Sequence, residues 1–131
     1  MFNARERLNN FQKGVGILSQ ENAGATKAIL GFVGTALSKG SLTVREKELV
    51  AIGVSLYSRC EDCIAVHVYK ALEVGCTRQE ILEAAATAMV FGGGPTLGAT
   101  ASLLLQALEE FEKDFARGAV SPSTSSNIER R

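Results

Sequence analysis

The chain has 131 residues, which is enough for one ordinary domain and too short for two. Fourteen basic residues balance fourteen acidic ones, so electrostatics give no reason to expect nucleic acid or an anionic membrane as a partner. The N-terminus has no apolar signal core, and the most apolar stretches are too short to span a bilayer. We therefore expect a cytoplasmic protein. In a reducing compartment, a close cysteine pair is more often catalytic or metal-binding than a permanent staple.

The apolar pattern is helical almost throughout, with no convincing alternating strand, and it predicts an all-α fold of about six helices. Asn22 is expected to cap the second helix, which ends at Lys39-Gly40. The first two helices are indicated by apolar residues at helical spacing: Leu8, Phe11, Val15 and Leu18 in the first, and Ile29, Leu30, Val33 and Leu37 in the second.

Capping boxes, each a Ser or Thr with Glu three residues later, predict three more helix starts. They are Thr43…Glu46, Ser58…Glu61 and Thr77…Glu80. The run from Gly92 to Pro95 should break the chain, so that a last helix extends from about Thr96 to Phe115. We predict a single domain over residues 1–117 and a flexible, small and polar tail over residues 118–131.

The pair Cys60 and Cys63 carries the clearest chemical signal. If Ser58 caps its helix, Cys60 lies at the second helical position and Cys63 at the fifth, on one face with His67. Free amides and the positive end of the helix dipole favour a thiolate there, and His67 can accept or return a proton near neutral pH. Glu48, on the preceding helix, is the best candidate for a carboxylate that orients His67.

Glu61 is expected to be occupied by its cap, and Asp62 to point away from the cysteine face. Two other interpretations remain open. The cysteines can simply be small buried apolar residues. A zinc site would use Cys60, Cys63 and His67 with Cys76 or Glu48 as fourth ligand, but structural zinc usually joins separate segments, whereas three of these ligands share one helix. Cys76 is better explained as a small residue at a helix–helix corner. We expect no metal and no bound cofactor.

These residues resemble the carboxymuconolactone decarboxylase superfamily, specifically its AhpD-like alkylhydroperoxidase branch. The similar stretch extends from Leu42 to about Gly98. It combines a Glu twelve residues before Cys-x-x-Cys-x-x-x-His with a later Gly-x-Thr-x-x-Glu-Ile. The stretch reads Leu-Thr-Val-Arg-Glu-Lys-Glu-Leu-Val-Ala, then Cys-Glu-Asp-Cys-Ile-Ala-Val-His, then Ala-Leu-Glu-Val-Gly-Cys-Thr-Arg-Gln-Glu-Ile, and finally Phe-Gly-Gly-Gly-Pro.

The resemblance implies an AhpD-like single-unit helical bundle whose active site is Glu48, Cys60, Cys63 and His67. Cys63 would meet peroxide and become a sulfenic acid, while Cys60 would donate a proton and resolve it. Glu48 and His67 would relay the proton. The resemblance also implies a dithiol reductant, such as a lipoylated or thioredoxin-like protein, and a homo-oligomer, either a hexamer or a trimer.

Two features limit this transfer. The best-known members carry a His between the cysteines, where this chain has Asp62, whose negative charge should disfavour the thiolate. Those members also contain two copies of the helical unit and assemble as trimers, whereas this chain has one copy, like single-unit relatives that form hexamers. Separately, the helix dipole would make Cys60 the more acidic thiol, whereas the family assigns the reactive role to Cys63. A thiol-dependent peroxidase is the leading hypothesis that the resemblance implies. A dithiol oxidoreductase acting on disulfides ranks second, and a metal-binding or structural assembly ranks third. A lyase of the decarboxylase type ranks last, because those members generally lack the cysteine pair.

Overall fold

The structure, a computed structural model, describes residues 1–116. Regular structure in this range is helical throughout, so the predicted all-α fold of about six helices is confirmed. The predicted flexible tail, residues 118–131, lies outside the described residues. The elements are α1 Ala4–Glu21, α2 Ala23–Leu37, α3 Val44–Ser58, α4 Glu61–Glu73, α5 Arg78–Ala99, a π-helical turn Thr100–Leu104 and α6 Leu105–Ala116.

Two of the three predicted capping boxes are confirmed. The Thr43 side chain accepts a hydrogen bond from the amide three residues later, and the Thr43 amide donates one to the Glu46 carboxylate. Thr77 and Glu80 make the same reciprocal pair at the start of α5. These boxes determine where α3 and α5 begin, the helices that precede and follow α4 in the chain.

The predicted cap at Ser58 is wrong. Ser58 is the last residue of α3, and its hydroxyl donates to the carbonyl of Ser55 at 3.2 Å. Arg59 then adopts a left-handed conformation with φ 57°, which reverses the chain and makes Cys60 the N-cap of α4. Cys63 is consequently the third helical residue rather than the fifth.

The predicted break at the glycine run is a bend at Gly93, where φ is 58° and ψ is −138°. Pro95 follows it within the next helical turn. Gly92 is required for a different reason, since a Cβ there would overlap the buried side chain of Thr96 and would lie 3.2 Å from the ring of Tyr57. After the bend the chain continues through the π-helical turn into α6, one residue beyond the predicted end.

One hydrophobic core lies between α3, α4, α5 and α6, and the start of α1 closes it with Ala4 and Leu8. The ring of Tyr69 meets the ring of Phe111 edge-on, with centroids 5.3 Å apart. The largest fully buried side chains are Phe111, Ile52, Leu56, Ile64, Ile81, Leu104, Leu108, Val68 and Thr96. Both termini of α4 are thus fixed by packing, which positions the cysteine pair.

The second half of α1 and all of α2, here called the α1–α2 arm (residues 11–37), pack little against this core. Within α2, Thr26 is the one buried residue, and its hydroxyl donates to the carbonyl of Leu18. Asn22 makes no side-chain capping hydrogen bond to α2, contrary to expectation. Most residues of the predicted apolar faces are exposed, namely Phe11, Leu18, Ile29, Leu30 and Val33, whereas Leu8 is buried. Their neighbours Ile17 and Phe32 are exposed as well.

A second apolar surface lies between α3 and α5. It is an open groove of about 590 Å³, here called the α3–α5 groove. Its lining is almost entirely apolar and includes Leu49, Val50, Val54, Tyr57, Ala88 and Phe91.

By length and composition alone, the helical run Arg78–Ala116 could cross a membrane, contrary to the expectation that every apolar stretch is too short. However, the run bends at Gly93 and supplies Ile81, Leu104 and Phe111 to the core. Core helices of folded domains pass the same test of length and composition. We therefore interpret this run as part of the domain core.

Candidate active site

Cys60 and Cys63 form a disulfide at the start of α4, with their Cα atoms 5.2 Å apart. As the N-cap residue, Cys60 places its sulfur 3.2 Å from the amide nitrogen of Cys63, which donates to it. Both residues are half-buried, so one edge of the pair faces solvent. The free amides and the positive end of the α4 dipole stabilise negative charge on a sulfur at this position.

His67 lies one helical turn after Cys63 and is held by a buried carboxylate. Its Nδ1 is 2.8 Å from Oε1 of Glu48, which projects from α3 and is only 2% exposed. A carboxylate is rarely buried to this extent unless it is paired. An ionised carboxylate can only accept a hydrogen bond, so Nδ1 is the donor to Glu48, and Nε2 is left as an acceptor whenever the ring is neutral.

The turn at Arg59 is what brings these groups together. It folds α3 and α4 into an antiparallel pair, and Glu48, four residues into α3, comes to lie beside His67, six residues into α4. The structure therefore gathers Glu48, Cys60, Cys63 and His67 around the first two turns of α4, as the sequence analysis expected. Their roles in catalysis stay a prediction.

The expectation that Glu61 is occupied by a helix cap is wrong, because Ser58 does not cap α4. Oε1 of Glu61 instead accepts a hydrogen bond from Arg7 of α1 at 2.7 Å. The other terminal nitrogen of Arg7 is 3.6 Å from Oδ1 of Asp62. One guanidinium thus contacts both residues that separate the cysteines. Arg7 and Asp62 also border an open polar cavity of about 380 Å³.

Arg7 is a residue of the site that the sequence pattern did not identify. Fifty-four residues separate it from Glu61, and no spacing rule connects them. The signal that was available is weak: the segment Arg5-Glu6-Arg7 opens a helix with two cations, and Glu61-Asp62 forms an isolated acidic pair. Only the packing of α1 on α4 shows that the two charge groups meet.

The structure does not bring Cys76 to the cysteine pair. Cys76 is buried beyond the other end of α4, with its sulfur 3.7 Å from the carbonyl oxygen of Arg45. The 13 residues of α4 span about 20 Å, so Cys76 lies too far away to be a fourth ligand beside Cys60. Within residues 1–116, no three His, Cys, Asp or Glu side chains are arranged to hold a metal ion.

Residues 23–110 match the carboxymuconolactone decarboxylase family. An uncharacterized protein of Cupriavidus necator is 33% identical over 91 residues, which cover 70% of this chain and 80% of that protein. Uncharacterized protein 4 in the cox locus of Paracoccus denitrificans is 31% identical over 98 residues, 75% of this chain and 87% of that one.

Among solved structures, an apo carboxymuconolactone decarboxylase family protein from Legionella pneumophila has a similar fold. The TM-score is 0.76 at 26% identity, and the likeness covers 84% of this chain and 95% of that one. Glu48, Cys60, Cys63 and His67 all lie inside the segment that matches the family, whereas Arg7 precedes it.

Proposed function

Since the chain belongs to the carboxymuconolactone decarboxylase family, we propose that it is a thiol-dependent peroxidase of the AhpD-like type that reduces hydroperoxides through Cys60 and Cys63. One observation carries the proposal. A cysteine pair able to form a disulfide lies at a helix N-terminus, one turn from a histidine that a buried glutamate orients. This combination supplies a nucleophile, a resolving thiol and a proton carrier.

In the proposed reaction, the Cys63 thiolate attacks one oxygen of the hydroperoxide. The O–O bond breaks, an S–O bond forms, and the alkoxide leaves and is protonated to an alcohol. The Cys60 thiol then attacks the sulfenic sulfur, so that the S–S bond forms and water leaves. The two thiols thereby supply the two electrons that reduce the peroxide. A dithiol donor, such as a lipoylated or thioredoxin-like protein, restores both thiols by two successive disulfide exchanges.

Glu48 and His67 act as the proton relay in this scheme. Nε2 of His67 accepts the thiol proton as the thiolate forms, and the resulting imidazolium is stabilised by the Glu48 carboxylate at 2.8 Å. The same proton can then be delivered to the departing alkoxide.

A second candidate function is dithiol–disulfide exchange with a protein or small-molecule disulfide as substrate. The position of Cys60 favours this function, because an N-cap sulfur that accepts a hydrogen bond from the Cys63 amide is well placed to react as a thiolate. In that reaction Cys60 would be the attacking sulfur. In the peroxidase reaction, the resemblance to the AhpD-like branch assigns the first attack to Cys63.

We also propose that the chain functions in the cytoplasm as a homo-oligomer, a hexamer or a trimer. Helix α2 contains a single charged residue, Lys27, among 15, and a helix that is apolar all round is normally buried. The α1–α2 arm and the α3–α5 groove each expose apolar side chains on the surface of the single chain. Contact between copies would bury both.

Thiol counting tests the peroxidase proposal. Fully reduced protein is treated with one equivalent of an organic hydroperoxide, and thiols are then counted in denaturant. We expect two of the three thiols to be lost per chain, and also two from the Cys76→Ser control. Cys60→Ser should stop at a trappable sulfenic acid, and Cys63→Ser should lose none. Loss of one thiol or none from the parent protein contradicts the mechanism.

Glu48→Gln tests the relay. The amide still fills the space but cannot stabilise an imidazolium, so peroxide reduction should slow and its pH–rate profile should change shape. Glu83→Gln, an exposed carboxylate on α5, is the matched control. An unchanged profile in Glu48→Gln would refute the relay role.

A further inference from the structure

The two residues between the cysteines, Glu61 and Asp62, are both acidic and occupy the first two positions of α4. A negative charge near a thiol disfavours its thiolate. Carboxylates in the first turn of a helix also compete with a thiolate for the same positive end of the dipole. This pair therefore opposes the chemistry that the N-cap position of Cys60 favours.

Arg7 offsets part of that charge. Its guanidinium is 2.7 Å from Glu61 and 3.6 Å from Asp62, so a single cation contacts the whole acidic pair. The cation sits on a fixed element, because Ala4 and Leu8 of α1 are buried in the core on either side of it. The pair is formed between packed helices rather than between two mobile chains.

The remaining charges around the cysteines are arranged differently. On the buried side, Glu48 of α3 pairs with His67 of α4. Arg59 lies on the exposed turn before Cys60. Arg5, two residues before Arg7, pairs with α6 through Glu110 at 2.9 Å and Asp114 at 2.8 Å. Arg7 is thus the cation that the packing places on the acidic pair.

We infer that Arg7 is a positioning residue of the dithiol, which offsets part of the negative charge of Glu61 and Asp62 and so affects how readily the Cys60–Cys63 pair forms a thiolate and accepts electrons. The inference rests on the proposed function for its biological meaning. A cation that stabilises the thiolate stabilises the reduced form, and this makes the disulfide a stronger oxidant. Loss of Arg7 should therefore raise the midpoint pH of thiolate formation and shift the redox equilibrium toward the disulfide.

The experiment compares Arg7→Gln with Arg5→Gln, which removes a guanidinium of the same helix that pairs with α6 and lies over the ring of Phe111, away from the acidic pair. Thiolate formation is followed by ultraviolet absorbance in reduced protein, and the redox equilibrium is measured against glutathione. Because the side chains are partly exposed and screened, we expect Arg7→Gln to change the thiolate fraction at neutral pH and the redox equilibrium constant by roughly twofold each. Arg5→Gln should change neither.

Further variants separate charge from packing. Arg7→Lys should restore most of the parent behaviour, and the difference between Arg7→Gln and parent should shrink at high ionic strength. In the parent background, Glu61→Gln with Asp62→Asn should lower the midpoint pH of thiolate formation. Equal effects of Arg7→Gln and Arg5→Gln, or no effect of Arg7→Gln, would overturn the inference.

None of these measurements uses peroxide. A protein that shows the Arg7 effect but does not consume peroxide would refute the proposed peroxidase function and leave the electrostatic role of Arg7 standing. A protein that turns over peroxide but shows no Arg7 effect would refute the electrostatic role of Arg7 and leave the proposed peroxidase function standing.

Discussion

Helices α4 and α2 are similar in length, and both carry apolar residues at helical spacing, but they are packed very differently. In α4 the apolar residues Ile64, Ala65, Val68 and Ala71 are buried in the core. In α2 only Thr26 is buried, and Phe32 is 67% exposed. The contrast shows that periodicity predicts which face of a helix is apolar but not which surface covers that face.

The largest expected effect tests this contrast directly. Phe111→Ala should lower the free energy of unfolding by about 3–5 kcal/mol, because it leaves a cavity among fully buried side chains. Phe32→Ala, the same substitution on α2, should lower it by about 0.5 kcal/mol or less in the separated chain. Chemical denaturation at low protein concentration measures both. Equal losses would show that α2 is packed within its own chain.

A charge on α2 tests whether another copy covers the arm. Phe32→Lys places an ammonium group on the exposed apolar face, so we expect the protein to shift from an oligomer to smaller species in sedimentation experiments. Gln106→Lys adds the same charge at an exposed polar position of α6 and should leave the mass unchanged. An identical mass for parent and Phe32→Lys would contradict the proposed contact.

The helix caps of the two regions should differ by a smaller amount. Thr77→Ala removes the hydroxyl that accepts a hydrogen bond from the Glu80 amide. This loss should lower the free energy of unfolding by about 1 kcal/mol. Asn22→Ala, at the start of α2, should cost no more than about a few tenths of a kcal/mol, because Asn22 makes no side-chain capping bond to α2. Thermal unfolding of both variants checks this, and a larger effect at Asn22 would contradict it.

The smallest expected effect concerns pH. The Thr77 amide, and secondarily the Arg45 guanidinium, hold the pKa of Glu80 below its usual range against the opposing effect of burial. A carboxyl with a lowered folded-state pKa contributes stability above its unfolded pKa of about 4.3 and loses it as pH falls through the folded value. Glu80→Gln should therefore flatten the acid limb of a stability–pH curve. Glu83→Gln, exposed on the same helix, should leave that limb unchanged.

Local signals predicted the fold well. The boxes at Thr43 and Thr77 are closed by residues three positions apart, so the sequence alone contains both partners of each hydrogen bond. The third box failed because α3 continues through Ser58, whose hydroxyl donates to the Ser55 carbonyl instead of capping α4. Arg59 takes the left-handed conformation that turns α3 into α4, and the helix start moves to Cys60.

The candidate site was predictable to the extent that helix geometry determines it. Residues 60, 63 and 67 share a face wherever the helix begins, so the two-residue error in the start did not separate Cys60 and Cys63 from His67. The contact between Arg7 and the acidic pair was not predictable, because it depends on how α1 crosses α4. The exposure of α2 was not predictable either, because the spacing of its apolar residues does not reveal which surface, if any, covers them.

The bend in α5 has a consequence for how this chain tolerates mutation. Gly93 is constrained by its positive φ, and Gly92 by the space that Thr96 and Tyr57 occupy. At Gly93 the ψ of −138° lies outside the left-handed helical region that Asn tolerates, so glycine is required there, and at Gly92 the neighbouring side chains exclude any Cβ. Two adjacent glycines therefore resist substitution for independent reasons. A saturation library should find both positions intolerant of nearly every replacement, Gly92 through steric overlap and Gly93 through its backbone conformation.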